Sequence, residues 1–578
     1  MLPLLLIGAS LASAGCSFIF INRYLSFKLH KNTFPFTLTT LLINMWLLLS
    51  ITYLLPLDVF SAAANRSNNG NSTIDSTSPS TGIYPRMAQT TPLLRRDTSQ
   101  SLPNFSLIWY AVYWLEFMVC WFILPVLISY TELKYLFANE PGTSHRKVVW
   151  TRIKKAIMTN IKFYALFGIG LGIGLLYLIF GMKRGLSDLK PLIISLSHLY
   201  SLSYTLILLS MGLILLPKAL LFENNNENRM FVELSKANDE SNDAKLSMTD
   251  FAEKILTLPP VQNGDVALNQ VTTECKLEVQ SLVNEIQISI PNLNSAGNGN
   301  NLSFEKINKH YNGFKTEYYN YLYYQAHSDS IIHDLARSQS KSFSMSKTIF
   351  NYIIGSICMS LSILVALLEL TPSKFAHAWI FEGHSWWNFL LEISILVYNT
   401  LVSLYAMSCI KFQNFHLIPN GRSNPKNTLY FSLYSSRLLL PLCFNFMALI
   451  PRAPKGEQSS FERVLYKDLE LIPLVNFLNR FLPMLFVIVV PLSYFFDLKR
   501  KVLLKLLGED YYYEMFGILY DPVPQYDRLS EDQSPAGRTR LDEDYEYSLQ
   551  DGRYLFQRAT SNFGMGENDS NYDTRTFI

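Results

Sequence analysis

Hydrophobic positions in this sequence gather into long runs of bilayer length, set apart by polar stretches. The runs are Leu2 to Ile21, Pro35 to Leu55, Leu107 to Tyr130, Phe163 to Phe180, Leu192 to Leu216, Ile349 to Leu368, Trp386 to Ile410, Leu429 to Ile450 and Leu474 to Phe496. Each meets or nearly meets the roughly 20 apolar residues that a helix needs to cross a hydrocarbon core. The pattern predicts an all-α integral membrane protein with about nine transmembrane helices. It divides into an N-terminal membrane half (1–216) with an outer loop near 57–105, a polar segment (217–347), a C-terminal membrane half (348–497) and a largely disordered tail (498–578).

The polar segment is the one long hydrophilic block between membrane runs. Its first part, Glu223 to Asn300, is asparagine-rich and reads as mobile apart from a short helix around Val279, Leu282 and Ile286. Its second part changes character. Phe304, Ile307, Tyr311, Phe314, Tyr318 and Tyr321 recur at alternating steps of three and four, and the same step continues through Gln325 and Ser328 to Ile332 and Leu335. That alternation keeps one apolar seam on a helix, as in a coiled coil, so 303–340 is a candidate coiled coil. The seam fits recruitment of a protein partner, a homo-oligomer, or packing back on the helix near Val279 to Ile286.

Charge sets the orientation. Arg23, Lys28 and Lys31 follow the first run, and Lys134, Arg146, Lys147, Arg152, Lys154 and Lys155 follow the third. Lys499, Arg500, Lys501 and Lys505 follow the last. Positive residues stay cytoplasmic, which places the N-terminus outside or in a lumen, the polar segment and the C-terminus inside. Lys183, Arg184 and Lys190 fall on the outer side and run against this. The small residues from Ala9 to Gly15 resemble a signal-peptide cleavage site, but a signal peptide begins with positive charge and this run does not. Sequons at Asn65, Asn71 and Asn104 lie in the outer loop and are glycosylation candidates. In the second run, Pro56 and Asp58 are expected to stop the helix at the interface.

Composition sharpens the picture. The chain is 49% hydrophobic and only 16% charged, against about 25% charged in soluble domains. A net charge of +3 over 578 residues does not suggest a nucleic-acid partner. The six cysteines form no CxxC pair, and they read as structural thiols. No G-x-S-x-G, P-loop or HExxH occurs, so the expectation is a non-enzyme without a cofactor. His310, His327 and His333 read as surface residues of the candidate coiled coil.

The chemistry lies in polar groups inside the runs. A charge in a bilayer costs roughly 2.5–3.5 kcal/mol on insertion scales. Glu116, Glu392 and Arg437, with Asn399 and Asn445, form a candidate intramembrane polar site. One reading pairs Glu392 or Glu116 with Arg437 in a cavity for a substrate or proton; the plainer one is an ion pair that fixes helix order. Arg480 and Glu369 lie nearer helix ends, where they can reach water. Asn44 is expected to bridge helices. Gly168, Gly170, Gly172 and Gly174 make overlapping GxxxG spacings that admit a neighbouring helix. In the tail, Tyr526 and Leu529 fit a Tyr-x-x-bulky sorting signal.

Several motifs together resemble the limb-region (LMBR-like) family, which includes the lipocalin-interacting membrane receptors. They are Leu55-Pro56-Leu57-Asp58-Val59, the run Trp109, Tyr113-Trp114, Trp121, Leu124-Pro125 and Tyr130, and Gly212-Leu213 with Leu216-Pro217-Lys218. Arg437 with Pro441-Leu442-Cys443 and Asn445-Phe446, and Asn479 with Leu482-Pro483, complete the set. The resemblance spans roughly residues 1–500, without the asparagine-rich loop. It implies a nine-helix protein with a large cytoplasmic loop after the fifth helix. Relatives are described as endocytic receptors, partners in cobalamin export or modulators of receptor signalling. The expected function is a multi-pass receptor or scaffold of the plasma membrane or an endomembrane, engaging a protein partner through 217–347, with an outer ligand open. A transporter or transporter subunit is the alternative.

Overall fold

The computed structural model describes residues 2–25, 35–74, 105–136, 145–176, 180, 189–221, 227–258, 266–288, 303–339, 344–371, 386–409, 417–418, 421–450, 458–467, 473–496, 505 and 540–563. These are helical nearly throughout, with one isolated bridge between Leu25 and Arg422. The N-terminal half comprises α1 (Leu2–Tyr24), α2 (Pro35–Ile74), α3 (Phe105–Met118), α4 (Leu124–Glu132), α5 (His145–Thr159), α6 (Ile161–Leu176) and α7 (Leu189–Leu221). The polar segment supplies α8 (Glu227–Leu256), α9 (Val266–Glu285) and α10 (Phe304–Gln339). The C-terminal half holds α11 (Ser344–Leu370), α12 (Trp386–Cys409), α13 (Pro425–Ser436), α14 (Leu439–Leu449) and α15 (Pro473–Phe495), and the tail adds α16 (Arg540–Phe563).

The described parts of the apolar runs are helical apart from a turn at 437–438, and they hold six to seven candidate spans beside the nine expected. Among the described residues six helices are long and apolar enough: Leu4–Tyr24, Phe36–Ala63, Phe105–Glu132, Ser201–Leu221, Ile349–Leu370 and Trp386–Cys409. A seventh is the pair Lys147–Thr159 and Tyr164–Leu176, bent by 47°, if it is one span. The eighth run fails because it breaks at Arg437 between α13 and α14. The ninth run is the 23-residue helix α15, which includes the apolar stretch Phe481–Phe495.

The membrane core forms where α2, α7, α12 and α14 meet, around Leu48, Leu55, Leu209, Val402, Leu439 and Phe444. Close approach of α7 to α12 requires glycine at 212, where a Cβ would sit 2.3 Å from the Val402 carbonyl oxygen. On α6 a Cβ at Gly168 or Gly172 would meet nothing within 4 Å among the described residues. The Asn44 amide does bridge helices, donating to the Ser432 carbonyl at 2.9 Å and its hydroxyl at 2.7 Å.

Helix α2 does not stop at Pro56 and Asp58; it runs on to Ile74. The good helix formers Ala62, Ala63 and Ala64 carry it forward. Asn65 and Asn71 therefore lie on helix rather than loop. Asn104, Tyr526 and Leu529 lie outside the described residues.

The polar segment is more ordered than its composition suggests. Glu223–Asn300 was expected to hold one short helix, but α8 has 30 residues and α9 has 20. On α8 the buried face is built of small residues, Ala237, Ala244 and Ala252, with Met248 and Ile255. Small side chains let the aromatic seam of α10 approach closely. Ile307, Tyr311, Phe314 and Tyr318 are buried against Met248, Ala252 and Ile255 of α8 and Val271, Cys275 and Val279 of α9. Phe304 and Tyr321 are half-buried at the margin. The seam is thus occupied within the chain. Beyond Gln325 the seam is met again at Leu335 as expected, while Ile331 is buried and the expected Ile332 is half-buried beside it, in a second cluster with Phe231, Leu234 and Phe556. The tail, expected to be largely disordered, supplies Phe556 from α16.

Candidate functional site

Two polar clusters stand out. The first is inside the membrane region. Helix α3 passes through a π-turn, Val119–Ile123, before α4. Such turns frequently mark functional sites. Here it sets Cys120 and Trp121 beside Glu116. Helix α7 contributes His198 and Ser201, and the break between α13 and α14 contributes Arg437. These residues line one cavity of about 10 Å³, room for about one water. An organic substrate does not fit it in this conformation. His198 Nε2 lies 3.1 Å from Asn479 Oδ1 of α15, and the ring packs edge-on against Phe444 at 4.7 Å. Its Nδ1 is buried with no hydrogen-bond partner among the described residues.

Of the predicted site residues, Glu116 and Arg437 are brought together. Glu392 is not in that cavity; it is buried on α12 with Oε2 unpartnered among the described residues, as is Asn399 Oδ1. Asn445 donates to Glu369 Oε1 at 2.5 Å. Glu369 was expected near water at a helix end, but it is buried on that amide. His198 was missed by sequence reasoning because a lone histidine in an apolar run carries no spacing signal. The Arg480 side chain lies outside the described residues.

Asp58 has a different role from helix stop. It accepts from Trp109 Nε1 at 3.0 Å and from the backbone N–H groups of Ser460 at 3.1 Å and Phe461 at 2.7 Å. It therefore caps, from a distant helix, the start of the turn that holds Glu462–Tyr466. Trp109 also packs edge-on on Phe461 at 4.7 Å.

The second cluster is a clamp where α4 leaves the membrane region. The Glu132 carbonyl, at the end of α4, accepts from the side-chain amides of Asn308 and Asn312 of α10, each at 2.8 Å. Asn308 returns the favour to the chain by accepting from the Tyr135 N–H at 3.1 Å. Lys134 Nζ lies 2.6 Å from both oxygens of Glu278 on α9. The hydroxyls of Tyr311, at 2.8 Å, and of Tyr135 donate to the same carboxylate. The Glu132 side chain pairs with Lys426 at 2.6 Å, at the start of α13. Burial alone would raise the Glu278 pKa, but the Lys134 charge and the three donors outweigh it and hold the carboxyl below its usual range. Burial, and then the charge of Lys134, push the nearby Lys315 down to about 8. Burial pushes the Cys275 thiol up to about 12, which leaves it unreactive at neutral pH. Among the described residues no group of His, Cys, Asp and Glu is placed to hold a metal ion.

The family model described as LMBR1-like membrane protein matches residues 4–497, so it includes α8–α10 and ends before α16. A Caenorhabditis briggsae protein named G-protein coupled receptor-associated protein LMBRD2 is 21% identical over 578 residues, covering 90% of this chain and 84% of that relative. No solved structure matches. With the match running through both membrane halves and the helices between them, this chain belongs to the LMBR1-like membrane protein family.

Proposed function

We propose that the protein is a non-enzymatic membrane scaffold or receptor subunit that engages a protein partner through α8–α10 on the cytoplasmic side. The observation that carries this reading is the clamp: Glu132–Tyr135 is gripped by Asn308, Asn312, Glu278 and Tyr311. A polar layer fixed to a membrane helix by charged and amide bonds presents a defined surface, not a loose loop. The Lys and Arg residues after the first, third and last apolar runs support the cytoplasmic side. The relative named as receptor-associated supports a membrane receptor as partner, and so a part in signalling or uptake.

The test replaces residues 227–339 with a flexible linker and compares co-purifying proteins by quantitative mass spectrometry. Specific partners are expected to disappear while the protein still reaches its membrane. An unchanged partner set rejects the reading.

The Glu116–His198–Arg437 cavity supports a second reading, transport of a proton or of a substrate admitted by another conformation. On that reading Arg437→Ala stops flux in proteoliposomes while the protein stays folded. Loss of fold together with flux assigns Arg437 to structure.

A further inference from the structure

Helix α16 is joined to α15 only through residues 497–539, of which the structure describes 505 alone, and it lies beyond the family match that ends at 497. Yet it is seated on family-matched surface. Phe556 packs edge-on against Phe231 of α8 at 5.8 Å, in a cluster with Leu234 and Ala237 of α8 and Ile331 and Leu335 of α10. Leu549 and Leu555 pack at its margin. Gly552 permits the contact: a Cβ there would sit 1.9 Å from the Phe231 carbonyl oxygen. Ser235 donates to Asp551 at 2.8 Å, and Arg553 donates to Asn228 at 3.1 Å.

The seat is specific in shape and small in area: among the described residues of α16 only Phe556 is a buried hydrophobic, with Leu549 and Leu555 half-buried beside it. Arg553 lies over the Phe231 ring at 5.8 Å, and Asp551 adds to the negative charge around Asp239. A contact made by so little buried apolar surface is modest in strength. The helix is also tethered, and a tether supplies effective concentrations of up to about the millimolar range. A weak contact therefore stays filled within the chain and still yields to a competitor.

We propose that the α8–α10 face beneath α16 is an exchangeable helix-docking site, filled here by the chain's own tail and open to an amphipathic helix of a partner protein. The partner helix carries a small residue where α16 has Gly552 and an aromatic residue four positions on, where α16 has Phe556. It packs its apolar face as helices do in other grooves. This rests on the scaffold reading and names the surface that does the engaging.

The test uses the full-length protein in detergent and a labelled peptide of residues 540–563. In the full-length Gly552→Leu chain the resident helix cannot seat, so this chain is expected to bind the peptide at least ten-fold more tightly than wild type. Unlabelled wild-type peptide competes, and Gly552→Leu peptide does not. A second chain carries a site-specific protease site in 510–530. After cutting, excess labelled peptide is expected to replace the released helix. Equal binding to wild type and variant, no binding to either, or retention of the cut helix overturns the proposal. So does a stable dimer that exchanges α16 between copies, which assigns the seat to self-association. Each outcome is read without a partner, whereas the scaffold reading falls only if partners survive replacement of 227–339.

Discussion

Replacing Glu278 with alanine removes the acceptor at the centre of the clamp. Lys134 Nζ lies 2.6 Å from each of its oxygens, the Tyr311 hydroxyl lies at 2.8 Å, and the Tyr135 hydroxyl also donates. A hydrogen bond to a charged group contributes about 1.5–3 kcal/mol. Two tyrosine bonds would then set an upper value of about 3–6 kcal/mol. The site is not sealed, since the Lys134 and Glu278 side chains keep 38% and 30% of their exposure. Water replaces part of what is lost, and an ion pair this exposed adds about 0–1 kcal/mol. The net loss is about 2 kcal/mol, or about 30-fold in a local opening equilibrium. Hydrogen exchange in detergent reads this directly: amides of 304–318 and 271–283 are expected to lose about 30-fold protection. Those of α12 and α14 are expected to stay unchanged. The sign with pH is fixed. A carboxyl held below its ordinary pKa contributes stability that is complete above the unfolded value and is lost as pH falls through the folded one. The wild-type advantage is therefore full at neutral pH and shrinks as pH falls below the ordinary 4.5. Unchanged protection at 304–318, or an equal loss across the membrane helices, refutes the clamp as a local joint.

Three further substitutions test the membrane region. Asp58→Ala removes the cap on Ser460 and Phe461 and leaves Trp109 Nε1 without its acceptor. A cap contributes about 0.5–2 kcal/mol and an orphaned buried donor costs about 1–3 more. The melting temperature is expected to fall by several degrees, with Trp109→Phe recovering part of it. Gly212→Ala is expected to separate α7 from α12 and cost about 1–3 kcal/mol, because its Cβ meets the Val402 carbonyl. Gly168→Ala meets nothing, and is expected to be neutral or to gain about 0.5–1 kcal/mol. Paired thermal denaturation in one detergent decides both.

Much of the fold was legible because bilayer length is a property of local composition. The described parts of the apolar runs are helical at their predicted places, though the eighth, read as one span, breaks at Arg437. What was not legible depended on partners far along the chain. Asp58 resembles a helix stop until Ser460 and Phe461 arrive to use it. The small residues of α8 carry no hydrophobic signal, yet they receive the α10 aromatics. The α10 seam was visible residue by residue, but periodicity does not say whose surface fills it. Arg437 was matched with either glutamate because charge alone does not choose; the packing puts Glu116 in its cavity.

The amides that close the end of α4 come from far downstream, Asn308 lying 176 residues after Glu132. Ribosomes add about 5–20 residues per second, so roughly 10–35 s separate the two ends of this joint during synthesis. Throughout that interval the last turn of α4 stands in water without its protein cap, while α5 to α9 are still being made. Closure of the joint is therefore a late event in biogenesis. A chain ending before Asn308 lacks both amides that close this end of α4.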